Sequence, residues 1–207
     1  MQLYLSSFKL GNKQSFLKDW ANRKSNKLLL ITNARDLKEQ DEKEKEKIES
    51  YVKMLEDIGF NVALLDLKNY FNDGEKLYED IRDYNAFCVT GGNVFVLRQA
   101  MKLSGFDKYL KDNRANSNML YVSWSAGSCV LSDNLKGLDL VDEPVNPYND
   151  DEIMYEGIGF LNYCLVPHYK SDHKESIFVD DVVEYMDRYD RNYVAISDGD
   201  VIIEEVF

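Results

Sequence analysis

The stretch Met119-Leu-Tyr-Val-Ser-Trp-Ser-Ala-Gly-Ser-Cys-Val-Leu131 joins an apolar run, a serine among small residues and the start of a helix. A short apolar run bounded by turn-forming residues reads as a buried strand. The turn that follows is the outline of a nucleophile elbow. It lifts Ser125 from the sheet edge, and the helix N-terminus aims N–H groups at any oxyanion formed there. Ala126 and Gly127 are small enough to let that helix pack closely. The common Gly-x-Ser-x-Gly form is altered at its first glycine, here Ser123. A serine that only caps a helix gives the same string, so its surroundings must decide.

Outward from the elbow, strand and helix signals alternate. Strands are predicted at Leu3–Ser7, 27–32, 61–66, 86–90 and 161–166, and helices at 12–22, 38–58, 73–82, 94–103, 106–115 and 177–189. The long helix carries the apolar stripe Ile48, Tyr51, Val52, Leu55 and Ile58, closed by Gly59, and opens with a charge block read as a solvated face. Strands at 194–197 and 201–205 flank Asp198-Gly199, a hairpin signal. Continuous apolar strands alternating with helices predict an α/β fold. Its sheet is mostly parallel with helices on both faces, in a single domain over residues 1–207. The long irregular stretch from about 132 to 159 is expected to be functional, as long loops in compact domains often are.

The chain has only two histidines. His168 ends the run Tyr163-Cys-Leu-Val-Pro167, at a strand end, where α/β sheets place reactive groups. A serine hydroxyl needs a base to take its proton, and imidazole is the commonest. The alternative for His168 is a hydrogen-bonded structural residue, whereas His173, in a polar stretch, reads as a solvated loop or helix-cap residue. Thr90-Gly91-Gly92-Asn93 follows a buried strand and opens a helix. Paired glycines there let backbone N–H groups approach a bound carbonyl, as half of an oxyanion hole. An ordinary turn or a phosphate cradle is the alternative, but neither a G-x-G-x-x-G nor a Walker pattern is present.

The net charge of −12 argues against nucleic acid and anionic membranes as partners. No run approaches the ~20 apolar residues of a spanning helix, and the N-terminus lacks a signal-peptide pattern. Cys88, Cys129 and Cys164 form no C-x-x-C pair and read as reduced, buried thiols. A cytoplasmic protein with no metal and no cofactor is expected, as monomer or homodimer.

Together, Val89-Thr90-Gly91-Gly92-Asn93, Ser123-Trp124-Ser125-Ala126-Gly127 and Val166-Pro167-His168-Tyr169 resemble the peptidase E family of aspartyl dipeptidases, related to cyanophycinase. The resemblance spans nearly the whole chain. It implies a doubly wound fold like that of class I glutamine amidotransferase domains, described also as flavodoxin-like. It implies Ser125 as nucleophile, His168 as base, and an oxyanion hole from the N–H groups of Gly92 and Ala126. Gly91, Asn93 and Lys170 are the candidate substrate contacts. Members carry an acid between serine and histidine. Aligning the loop Gly137-Leu-Asp139-Leu-Val-Asp142-Glu143-Pro144 on its Glu-Pro places Asp139 there, with Asp142 and Glu143 as alternatives.

The family members that require an N-terminal aspartate have arginines soon after the histidine. This chain has Lys170 and Lys174 and no arginine in that stretch. Lysines are point charges without the planar fork that grips a carboxylate. A serine-type dipeptidase acting on short peptides, with doubtful aspartyl specificity, is therefore expected. The alternatives are an esterase or amidase using the same triad, or a non-catalytic binding member of the fold.

Overall fold

The apolar runs form strands whose side chains alternate between two separate cores. In the computed structural model, which describes residues 1–24, 26–149 and 152–207, six strands form one sheet. They are β1 (Gln2–Ser6), β2 (Lys27–Ile31), β3 (Asn61–Leu64), β4 (Ala86–Val89), β5 (Leu120–Trp124) and β8 (Val201–Glu205). Their order is β3-β2-β4-β5-β1-β8, and only β8, against β1, is antiparallel. In β2, Leu28 and Leu30 join one buried cluster while Leu29 and Ile31 join the other. Period-two alternation with both faces apolar is what a parallel sheet covered on both sides requires.

One cluster is closed by α1 (Gln14–Arg23) and α2 (Glu42–Glu56), through Leu17, Trp20, Tyr51 and Leu55. The other is closed by α3 (Gly74–Ile81), α4 (Val94–Ser104) and α5 (Phe106–Asp112). This is the doubly wound α/β arrangement expected. The charge block at 38–47 is only partly helical: Asp41 accepts from Glu44 N at 2.9 Å and caps α2, which therefore begins at Glu42.

One expectation fails. The segments flanking Asp198-Gly199 are not a hairpin. β7 (Tyr193–Ala195) pairs in parallel with β6 (Cys164–Val166) in a small second sheet, whereas β8 crosses to β1. The Asp-Gly pair forms a turn, but one that connects two sheets. The second sheet shares the larger core, through Cys164, Leu165 and Val166. It is followed by α7 (Ser176–Arg188), which buries Val179, Val182 and Met186.

The long stretch after the elbow lies over α4 and is tied down at several points; Asp150 and Asp151 within it lie outside the described residues. Buried Arg98 donates through Nε to Glu156 O at 2.8 Å and through Nη1 to Asp107 at 3.0 Å. Tyr148 donates to Asp36 at 2.6 Å. All three cysteines are free and buried, as expected. Among the described residues no helix is long and apolar enough to cross a membrane.

Candidate active site

Ser125 sits between β5 and α6 (Ala126–Cys129) with φ 49° and ψ −122°. A serine at positive φ is strained, and strain of this kind persists only where the surroundings over-determine it. Here three contacts do so. Ser125 N donates to Ser6 O at 3.2 Å, tying the turn to β1. Tyr121, inside β5, donates to Gly127 O at 2.8 Å. Ser123, at the position usually held by glycine, shares a buried 2.8 Å hydrogen bond with Ser128 and so fastens strand to helix. Gly127 is required by space: a Cβ there would lie 2.4 Å from Val89 O.

The loop after β4 approaches just as closely. A Cβ on Gly92 would stand 2.2 Å from Ala34 O, and one on Gly91 would stand 3.0 Å from the Cβ of Ser125. Among the described residues, neither Gly92 N–H nor Ala126 N–H is given an acceptor. Asn93, expected to touch substrate, is the N-cap of α4. Its Oδ1 accepts from Phe95 N and Val96 N at 3.0 Å, and its Nδ2 donates to Glu143 O at 2.7 Å. Its amide is thus already engaged in holding the glycine loop to the loop that carries Glu143.

His168 arises from the second sheet. The parallel pairing aligns Val166 with Ala195, so the chain just beyond each strand end lies side by side. That puts His168 next to Asp198, with Nδ1 and Oδ1 2.7 Å apart. Ser7, just beyond β1, bonds to both: its hydroxyl donates to Asp198 Oδ1 at 2.7 Å and accepts from His168 N at 2.8 Å. Ser171 Oγ accepts from Asp198 N at 2.7 Å. His168 is 3% exposed. Burial lowers its pKa below the ordinary imidazole value, the Asp198 hydrogen bond works against that, and neighbouring His173 adds to the lowering.

The carboxylate that meets the imidazole is Asp198, not the Asp139 expected from the sequence. Asp139 is exposed on a short 3-10 turn (Leu138–Leu140), where its Oδ1 accepts from Gly137 N at 2.8 Å. It caps its own turn and does not reach the histidine. Asp142 lies in the floor of the cleft and accepts from Val94 N at 2.8 Å, at the start of α4. Burial raises its pKa to about 7, against the Val94 hydrogen bond. Glu143 reaches the cleft wall but not the imidazole. Sequence reasoning misses Asp198 because an Asp-Gly pair signals a hairpin, and Ser7 because it stands as the end of an apolar strand. The one usable signal was a carboxylate and a serine just past the ends of apolar strands.

Ser125, His168, Asp142 and Glu175 line a cleft of about 360 Å³ that also takes in Gly91 and Gly92. Arg35, Lys38, Lys47 and Lys174 stand around it. Arg35 is already held by Glu44, through Nε and through Nη2 at 2.7 Å. The Lys47 pKa is lowered, by burial first and then by the charge of Arg35, with Glu44 opposing and Lys174 and Lys38 adding to the lowering. Lys170, the expected substrate contact, is exposed and lies over the Tyr169 ring, 4.9 Å from its centroid, outside that cleft. Of the other cations, Arg98 is committed to Asp107, and Arg114 stacks on Phe160.

The fold has counterparts. A crystal structure of a candidate peptidase E protein from Listeria monocytogenes EGD-e aligns over 100% of this chain and 98% of its own, with TM-score 0.76 and 23% identity. A peptidase from an acI-B1 actinobacterium aligns over 99% of this chain and 83% of its own, with TM-score 0.70 and 18% identity. At such identities these likenesses show the fold. In sequence, an uncharacterized peptidase of Listeria innocua is 30% identical over 124 residues, 60% of this chain and 57% of that protein. An uncharacterized peptidase of Listeria monocytogenes is 30% identical over 141 residues, 67% of this chain and 65% of that protein. The chain thus matches less than two thirds of the length of these relatives. The model of peptidase family S51 matches residues 5–205, nearly the whole sequence, and the chain belongs to that family.

Proposed function

We propose that the protein is a serine peptidase of short peptides, with Ser125 as nucleophile, His168 as general base and Asp198 as the carboxylate that orients the imidazole. The observation that carries this reading is the 2.7 Å His168–Asp198 pair, opening onto the same cleft as a strained Ser125. A carboxylate on Nδ1 fixes the tautomer that leaves Nε2 able to accept a proton, and it steadies the imidazolium that results. Burial keeps His168 neutral, and so able to act as a base, to a pH below the ordinary imidazole value.

In the reaction, Ser125 Oγ bonds to the scissile carbonyl carbon while its proton passes to His168 Nε2. The oxyanion accepts from Gly92 N–H and Ala126 N–H. His168 then protonates the leaving amine as the carbon–nitrogen bond breaks, giving an acyl-serine and the first product. A water attacks that ester, His168 takes the water's proton, and its return to Ser125 frees the second product.

The charges around the cleft match a free peptide. Asp142, Glu143 and Glu175 can meet an α-ammonium, and Lys38, Lys47 and Lys174 a terminal carboxylate. Among the described residues, Arg35 is the only guanidinium lining the cleft, and it is already held by Glu44, so none of them offers a free planar fork to select an aspartate side chain. The test is a dipeptide-library screen combined with a fluorophosphonate label. Expected are turnover, labelling of Ser125 that disappears in His168→Ala, and a preference for Asp-Leu over Ala-Leu below roughly 100-fold, about 2.7 kcal/mol of transition-state binding. No labelling and no turnover across the library would overturn the reading.

A further inference from the structure

We propose that His168, His173 and Glu175 form a binding site for a divalent transition-metal ion of the zinc type, and that the bound ion is a reversible inhibitor. The inhibitory role rests on the reading of His168 as base; the binding site does not. One donor atom from each residue lies within 4.8 Å of the others. Glu175 Oε2 is 3.8 Å from His168 Nε2 and 3.9 Å from His173 Nδ1. Ligands on a tetrahedral zinc ion, with bonds of about 2.0–2.1 Å, sit roughly 3.4 Å apart, so both distances from Glu175 are within about half an ångström of that spacing.

Two features favour an ion here over a chance cluster. His168 already has the outer partner typical of a metal-bound histidine, a carboxylate on its other ring nitrogen, which directs the Nε2 lone pair outward. The His173 ring stacks on it at 3.8 Å between centroids and 10° between planes, so His173 must turn out of the stack to bring its lone pair onto the same ion. Glu175 N–H reaches His173 Nδ1 at 3.3 Å, a hydrogen bond that the ion must displace to take that lone pair. Two imidazoles and one carboxylate make a ligand set suited to zinc.

The three protein ligands leave the ion's fourth position for water or substrate. An ion on Nε2 occupies the lone pair that must take the Ser125 proton. Occupancy and base catalysis therefore exclude each other.

The experiment is calorimetric titration of the full chain with zinc chloride, for the wild type, Ser125→Ala, His173→Ala, Glu175→Gln and the double variant His173→Ala/Glu175→Gln. Expected is saturable binding of one ion by the wild type and by Ser125→Ala, weakened tenfold or more in each ligand variant. Wherever a dipeptide is turned over, the rate should fall in step with occupancy. Wild-type binding no tighter than that of the double variant would overturn the site, whether or not the protein proves to be a peptidase. Binding with undiminished turnover would overturn the inhibition.

Discussion

The two halves of the proposed catalytic centre are built in different ways. The Ser125 half is a matter of backbone: one strand, one turn and one short helix, contiguous in sequence, held by close approaches that only glycine permits. The His168 half is a matter of side-chain hydrogen bonds between residues far apart in the chain. Asp198 is 30 residues from His168, and Ser7 is 161 residues from it. The first half is fixed by sterics and fails when volume is added. The second is fixed by polar pairing and fails when a donor or acceptor is removed.

The sharpest break in that comparison comes on the polar side. Asp198→Asn should lower kcat by about 10⁴-fold with the fold intact, the size of effect seen when a triad carboxylate is neutralised and the wrong tautomer results. Asp139→Asn should be close to wild type, since that carboxylate caps only its own turn. Kinetics of the two variants on one dipeptide decide the matter. A crippling effect of Asp139→Asn with a mild Asp198→Asn would reverse the assignment of the acid.

That pair of variants also marks where sequence reasoning stopped. The strands, the two-sided sheet and the elbow could be read directly, because each depends on neighbours within a dozen residues. Leu28 to Ile31 need only be apolar to declare a strand buried on both faces. The position of Asp198 depends on β7 leaving the turn to pair with β6 while β8 crosses to β1. The local signal, an Asp-Gly pair between two strands, is the same for a hairpin as for this crossover. Asn93 shows a similar limit: cap and substrate contact call for the same side chain, and only the partners Phe95, Val96 and Glu143 reveal the cap.

On the steric side, Gly127→Ala should cost stability before it costs chemistry. The added methyl meets a strand carbonyl carbon and oxygen, not a flexible side-chain end, so β4 or α6 must shift. Overpacking of this sort costs about 1–3 kcal/mol. For a chain of this size that is about 2–4 °C of melting temperature per kcal/mol, read by calorimetry. An unchanged melting temperature would mean that the elbow is held by something other than close packing.

The smallest expected effect concerns the imidazole environment. His173 covers one face of His168 and lowers its pKa, acting in the same direction as burial. His173→Ala should therefore raise the His168 pKa, and the acid limb of kcat/KM should move to higher pH. In the wild type that limb should lie below the ordinary imidazole value of about 6.5, because a base with a lowered pKa stays neutral further into acid. A limb that does not move, or moves to lower pH, would show that the stacked ring has no electrostatic influence on the base.

The three buried cysteines offer a different kind of access to the same division. Cys88 lies in β4, Cys129 in the elbow helix and Cys164 in β6, so each belongs to a separate structural unit. Burial raises all three thiol pKa values, that of Cys164 to about 11, and disfavours the reactive thiolate. None can be alkylated until its own surroundings open. The rate at which each thiol is trapped then becomes a clock for local opening, wound into the native chain without any added probe. The small two-stranded sheet, which carries both the proposed base and its carboxylate, can in this way be timed against the six-stranded one.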